Sequence, residues 1–299
     1  MTLIELLKET GADQIKRGAL MRKFTSVFVG LLAASIPCAL SGQSPQLVDV
    51  SGRQVEVLVA GSGKPAVILE AGLGEHLKHW LAIQKSLSSL TTVIAYSRAG
   101  YGASDPSPEP RTPLRVVSEL RALLQALGQD GPYVLVGHSL GGVYVRVFAS
   151  QHPEEVAALV LVDPTHERLD LENSILSPTY WPDNWTGYVD YAKEVGGGTR
   201  SEVDEWWSIS RRGTLPEALP LPDVPMVILT AMAVDNSWAG GSEIGLRMRR
   251  QIHTELFEHT TNGVHIVTAE SGHSMHVDQP DLVVDSIRRV VNAARTSSP

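Results

Sequence analysis

The chain has 299 residues, 43% hydrophobic and 19% charged, the proportions of an ordinary globular protein with a large core to bury. Its formal net charge of −8 is spread without long runs, so no basic stripe exists to neutralise phosphates and nucleic acid is not expected as a partner. The one cysteine, Cys38, lies in a segment expected to be removed, which leaves no disulfide, zinc–thiolate site or cysteine nucleophile in the mature chain.

In chain order, the first feature is "MRKFTSVFVGLLAASIPCALSGQ", starting at Met21. Two basic residues lead an uncharged run from Phe24 to Leu40, and small polar residues follow. That layout predicts a signal peptide within residues 21–41, cleavage after Ser41, and an exported (periplasmic or secreted) protein whose candidate start is Met21. The alternative is an uncleaved, membrane-anchoring helix, since roughly 17 apolar residues are at the short end of a bilayer span. "SIPC" lacks the small residue expected before a lipid-modified cysteine. Residues 1–45 therefore read as an extension and 46–299 as the folded domain.

"LVDV" and "RQVEVLVA", joined by Ser51-Gly52, predict an antiparallel hairpin. "AVILEAG" (66–72), apolar but for Glu70, reads as a strand covered on both faces. A helix is predicted around Trp80–Leu87, then the strand "TVIAYS" (92–97) and the loop "SRAGYGASDPSPEP". "LRVVSELRALLQALG" (114–128) has helical spacing and closes on Gly128. Strand 133–138, helix 140–151 and strand 158–163 follow. Between Pro164 and Pro222 the periodicity fails, and the segment holds Trp181, Trp185, Trp206, Trp207, Tyr180, Tyr188 and Tyr191. Strand 225–231, helix 243–259, strand 263–269 and helix 280–294 complete the chain. Repeated strand–helix units imply an α/β fold: a mostly parallel, eight-stranded sheet with helices on both faces.

The chemistry is concentrated in "VLVGHSLGGV" (134–143). A sharp strand-to-helix turn strains its central residue and brings two backbones together, so its flanks must lack side chains. Gly137, Gly141 and Gly142 meet that need around Ser139. A serine hydroxyl needs a base, and in the order serine, acid, histidine the base falls near the C-terminus. "ESGHSMHVDQPDLV" offers His273, directly after the last strand, with His276 as competitor; His138 is expected to pack beside the turn. The acid orients the imidazole. Asp163 ends a strand and is preferred, with Asp235 in "AMAVDNSWAGG" as the alternative and Glu167 and Asp170 remote. Two N–H groups are needed for an oxyanion: Leu140 follows the serine, and Leu73 sits between two glycines in "AGLGEHLKHW". His76 and His79 in that loop lack a further ligand cluster, so no metal site and no cofactor are expected.

From about Gln46 onward the chain resembles the α/β-hydrolase superfamily, in the branch with "GHSLGG", a glycine-rich oxyanion loop and "SGHSMHVDQP" near the C-terminus. "SRAGYGASD" is similar to the family's D-R-x-G-x-G-x-S loop, with Ser97 in place of the aspartate that normally buttresses it. The usual acid after the seventh strand is not cleanly present in "LTAMAVDN", so the resemblance supports an acid after the sixth strand, in "LVDPTHE". It also implies that residues 164–222 form a cap inserted after strand 6. Related dehalogenases and epoxide hydrolases carry aspartate at the elbow, where this chain has Ser139.

The expectation is a serine hydrolase acting on a small to medium apolar ester, with Trp181, Trp185, Trp206 and Trp207 as the apolar roof of its pocket. An amidase or aminopeptidase, a lactonase or a cofactor-free perhydrolase would use the same machinery. Glu194, Glu202, Asp204 and Glu205 would suit a peptide amino terminus, or form a solvated face. A silent binding protein on this scaffold is the non-enzymatic alternative. A membrane is a partner only if the N-terminal segment stays uncleaved, and oligomeric state is not readable.

Overall fold

The computed structural model describes residues 44–176, 180–235, 239–258 and 260–297. The expected signal peptide at 21–41 and the side chain of Trp181 lie outside them.

Two strands, β1 (Gln46–Val50) and β2 (Arg53–Ala60), form the expected hairpin. Ser51 and Gly52 both have positive φ, 55° and 83°, as a two-residue turn matching strand twist requires. Six further strands follow: β3 (Val67–Glu70), β4 (Val93–Tyr96), β5 (Tyr133–His138), β6 (Val156–Val162), β7 (Met226–Ala231) and β8 (Gly263–Thr268). The sheet order is β1-β2-β4-β3-β5-β6-β7-β8. The first two pairings are antiparallel and the remaining five parallel.

The apolar central strands feed two separate cores because successive side chains point to opposite faces. Ile68, Leu135, Leu159 and Leu161 enter one core. Val67, Leu69, Val134, Val136, Val160 and Val162 enter the other. Helices α1 (Leu81–Leu87) and α9 (Pro280–Ser297) cover the second core, and α9 buries Val283, Val284, Ile287, Val290 and Val291 at helical spacing. On the first lie α2 (Pro113–Ala126), α3 (Leu140–Gln151) and α7 (Glu243–Glu258). The short α8 (Met275–Asp278) precedes α9. Among the described residues no helix is long and apolar enough to cross a membrane.

The aromatic segment between β6 and β7 is helical where no clear period was expected. It contains α4 (Leu169–Leu176), α5 (Tyr180–Val195) and α6 (Thr199–Arg212). On α6 the buried apolar stripe is only Val203, Trp206 and Ile209, narrow enough to be hidden among six charged residues in TRSEVDEWWSISRR. Gly213 closes α6 in the left-handed region, its N–H donating to the Ile209 carbonyl.

A single residue, Ser139, connects β5 to α3. Ser139 has φ 50° and ψ −120°, outside the common regions for a non-glycine residue. A Cβ on Gly137 would lie 2.5 Å from the Gly141 carbonyl oxygen, and one on Gly141 would lie 2.4 Å from that of Glu70. Both contacts are with backbone, which cannot move aside. Gly141→Ala should therefore cost about 1–3 kcal/mol in urea unfolding. Gly187→Ala, on α5 with open space around it, should be neutral or stabilising by up to about 1 kcal/mol.

Candidate active site

Three strand ends are tied together by backbone hydrogen bonds. Ser139 N–H donates to the Val162 carbonyl at 3.2 Å, Asp163 N–H to that of Leu229 at 2.9 Å, and Thr165 N–H to that of Ser139 at 2.9 Å. Asp163, like Ser139, has positive φ, 40°, so the chain leaves β6 by an abrupt turn. His273 comes from the loop between β8 and α8.

The three side chains form one hydrogen-bonded line. Ser139 Oγ lies 2.8 Å from His273 Nε2, and His273 Nδ1 lies 2.6 Å from Asp163 Oδ2. Because a carboxylate only accepts, Nδ1 carries the proton and Nε2 accepts from the serine. The Thr165 hydroxyl is 3.2 Å from Ser139 Oγ. Asp163 is fully buried, yet its carboxylate also accepts from Arg249 Nη1 at 2.9 Å and from Ala231 N–H at 3.1 Å. Burial opposes its ionisation, but the Arg249 guanidinium and the His273 hydrogen bond outweigh it and hold the carboxyl well below the usual range. Burial also opposes the charged form of His273, and the attraction of Asp163 does not fully offset this, so the imidazole sits below its ordinary 6.5.

Of the two acids considered, the fold brings Asp163 to the imidazole. Asp235 is exposed beyond β7, its N–H donating to the Gly241 carbonyl. His276 is buried against Trp80, with ring centroids 4.9 Å apart, and Ser139 has His273 as its ring partner. Leu140 opens α3, where the first N–H groups have no intrahelical acceptor. Leu73 lies in the turn after β3, and the amides on either side of it are engaged: Gly72 N–H with Glu75 Oε2 at 2.8 Å, Gly74 N–H with Tyr101 Oη at 3.3 Å. Tyr191 Oη of α5 donates to the Leu73 carbonyl at 3.1 Å, which brings the helical insertion over this loop. Trp206 is buried and donates to Asp170 at 3.2 Å; Trp185 and Trp207 pack on each other, centroids 4.7 Å apart, with Arg200 over Trp185. Trp185, Trp206 and Trp207 thus bind the insertion together.

Two arginines hold this arrangement: Arg98, which the sequence marks only as part of the SRAGYGASD loop, and Arg249, which gave no signal. Arg249 stands in "RMRRQIH", which reads as a polar helix face. Arg98 is buried and uses all its donors: Nε and Nη2 on Glu202 at 2.7 and 2.8 Å, Nη1 on Glu70 and the Ala71 carbonyl at 2.7 and 2.6 Å, Nη2 on the Gly72 carbonyl at 2.7 Å. It fastens the Leu73 loop to α6. Glu202 is therefore buried, whereas Glu194 and Asp204 are exposed.

Among the described residues two groups could offer metal ligands. His152, Glu154 and Glu155 lie toward solvent, while Glu75, His138 and His276 lie beneath the Leu73 loop with one ligand atom each within 4.8 Å. Between Glu75 and His138 that space is spanned by a 2.8 Å hydrogen bond.

The family described as "alpha/beta hydrolase fold" matches residues 65–238. The chain belongs to this alpha/beta hydrolase family. An "AB hydrolase superfamily protein" of Gibberella zeae is 22% identical over 78% of this chain and 88% of its own length. "Lipase LipV" of Mycobacterium tuberculosis is 41% identical over 34% of this chain and 38% of its own. Several other curated relatives are matched over less than half their length, 22% in the case of a "Probable transporter efuK" of Hormonema carpetanum and 48% in that of a "Fluoroacetate dehalogenase" of Burkholderia sp. A thermophilic esterase from Thermogutta terrifontis superposes with a TM-score of 0.61, covering 84% of this chain and 99% of that one at 17% identity, which shows the shared fold. Against the hydrolase pattern, the missing aspartate at Ser97 is made good by β2: Glu56 Oε2 accepts from Ser97 Oγ at 2.7 Å and from Ala103 N–H at 3.1 Å.

Arg98 and Glu202 are both desolvated, and removing the Glu202 charge leaves the guanidinium with Glu70 alone. Glu202→Gln should lower stability by about 1–3 kcal/mol in chemical denaturation, and the exposed Asp204→Asn by less than about 0.5 kcal/mol.

Proposed function

We propose that this protein is a serine hydrolase that cleaves small to medium apolar carboxylic esters through an acyl-enzyme. The observation that carries the reading is the unbroken line from Ser139 through His273 to Asp163. His273 Nε2 takes the hydroxyl proton as Ser139 Oγ bonds to the ester carbonyl carbon. The carbonyl oxygen becomes an oxyanion held by the Leu73 and Leu140 amides, and the imidazolium is stabilised by Asp163. The carbon–oxygen bond to the alcohol then breaks, and His273 returns the proton to that alcohol. Water repeats the cycle on the acyl-enzyme, releasing the acid and free Ser139. The step needs no group beyond these residues.

The insertion, residues 164–222, acts in this reading as a cap, and Tyr191 above Leu73 makes an aromatic edge for an apolar acyl or alcohol group. An aminopeptidase is less well supported, since Glu202 is committed to Arg98. The esterase and the lipase among the relatives favour esters as well. Residues 21–41 support export by a cleaved signal peptide, which sequencing the mature N-terminus would test.

With p-nitrophenyl esters of graded acyl length, the wild type should turn over short or medium chains. Ser139→Ala and Asp163→Asn should each lose about 10⁴-fold or more in kcat, and Asp235→Asn should stay within about threefold of wild type. Activity in Ser139→Ala equal to wild type would sink the mechanism. His273 must be neutral to accept the proton, and its folded value lies below 6.5. The acidic limb of kcat/KM against pH should accordingly fall below 6.5, with Asp163 ionised throughout it.

A further inference from the structure

Directly behind Ser139 is a hydrogen-bonded pair, Glu75 and His138, that the chemistry above does not use. His138 is the residue before Ser139 and is 2% exposed. Its Nδ1 is 2.8 Å from Glu75 Oε2 and its Nε2 is 2.9 Å from the His273 carbonyl oxygen. The carbonyl can only accept, and Glu75, its carboxyl held well below the usual range beside His138, accepts as a carboxylate from Nδ1 and from Gly72 N–H, the latter at 2.8 Å. Each ring nitrogen must therefore carry a proton, which makes the ring an imidazolium. The same three hydrogen bonds join the oxyanion loop at Gly72, the end of β5 beside Ser139, and the loop that carries His273.

We propose that Glu75 and His138 form a positioning ion pair that locks the oxyanion loop and the base loop onto the nucleophile's strand. The inference rests on the serine-hydrolase reading for its consequence, though the ion pair can be measured without it. Gly72 shows how closely the parts are fitted. A Cβ there would be 2.9 Å from Glu75 Oε2, 3.0 Å from His138 Nδ1 and 3.2 Å from Ser139 Cβ. The loop backbone thus rests on the pair and on the serine at once. A shift of either charge would move the Leu73 amide, one residue on, relative to the reacting carbonyl.

The neighbouring charges agree with this assignment. Burial disfavours an imidazolium at His138, but Glu75, the hydrogen bond to it and the His273 carbonyl outweigh burial and raise the ring above its ordinary value. Burial likewise opposes ionised Glu75, and His138 overcomes it, holding the carboxyl well below the usual range. His276 of α8, with its ring centroid 4.5 Å from that of His138, is pushed down to about 3 by burial and by the His138 charge, so it packs there as a neutral ring. His273 faces Asp163 from the turn after β6, Arg249 from α7 and His138 from β5, at 4.9 Å between ring centroids in the last case. A cation at His138 makes the His273 imidazolium harder to form. The pair therefore contributes to the low value of the base as well as to its placement.

Glu75→Gln tests this, because the amide oxygen can still accept from Gly72 N–H while the charge is removed. In ring-nitrogen NMR of the whole chain, wild-type His138 should hold two protons across the histidine range, and in Glu75→Gln it should become a neutral ring. Fluorophosphonate labelling of Ser139 should slow about tenfold or more, and both its acidic limb and the His273 titration should move up by about one pH unit. A purely structural role would slow labelling without moving the His273 titration. A singly protonated wild-type His138, an unmoved His273 titration in Glu75→Gln, or one zinc bound per wild-type chain at His138 Nδ1 would each overturn the proposal. If Glu75→Gln does not fold, the wild-type His138 protonation and zinc titration still decide it. Absence of labelling in wild type would sink the hydrolase reading instead, and the His138 and His273 titrations would continue to judge the ion pair.

Discussion

The close approach of backbone at the end of β5 is the constraint on which the rest depends. Ser139 stands at φ 50° between β5 and α3, a conformation unfavourable for a residue with a Cβ. It is over-determined from every side: Gly141 lies against the carbonyls of Glu70 and Ala71, Gly142 against Pro164, and Gly72 against Ser139 itself. Such packing leaves the serine side chain nowhere to go except out of the sheet. It also draws the β3 loop, the β6 turn and the α3 N-terminus to one point, which is what a nucleophile, its acid and two amide donors require.

Around that point the protein buries charge, and the geometry explains how this is tolerated. A desolvated ion is costly unless its hydrogen-bonding capacity is filled. Arg98 fills all its donors on two carboxylates and two carbonyls. Asp163 accepts from His273, Arg249 and Ala231. Such networks have discrete geometry, so they hold loops that a purely apolar contact would leave able to slide. Arg98 secures the loop of Leu73 from outside and ties it to α6, while Glu75 and His138 meet it from within. The consequence is a loop held from two directions before any substrate arrives, which is the preorganisation that oxyanion stabilisation demands.

Much of this was legible in the residues. The apolar runs of the strands and the glycines around Ser139 are local features, and local sterics read directly from sequence. The choice of Asp163 over Asp235 was legible too, since one ends its strand and the other lies in a loop beyond it. The helices inside the insertion were not: α6 offers a stripe of three apolar residues amid charges, below what periodicity can resolve. The tryptophans were visible as residues, yet only packing shows Trp206 as a core residue and Trp185 against Trp207.

By itself the sequence determined the α/β alternation and the strained serine turn, because each follows from short-range geometry. Only the tertiary structure decided the electrostatics. Arg98 meets Glu202 across 104 positions of sequence, and Arg249 meets Asp163 across 86. Glu75 meets His138 across 63. A charge in a sequence is as readily solvated as buried, and its partner is chosen by the fold that removes water from both.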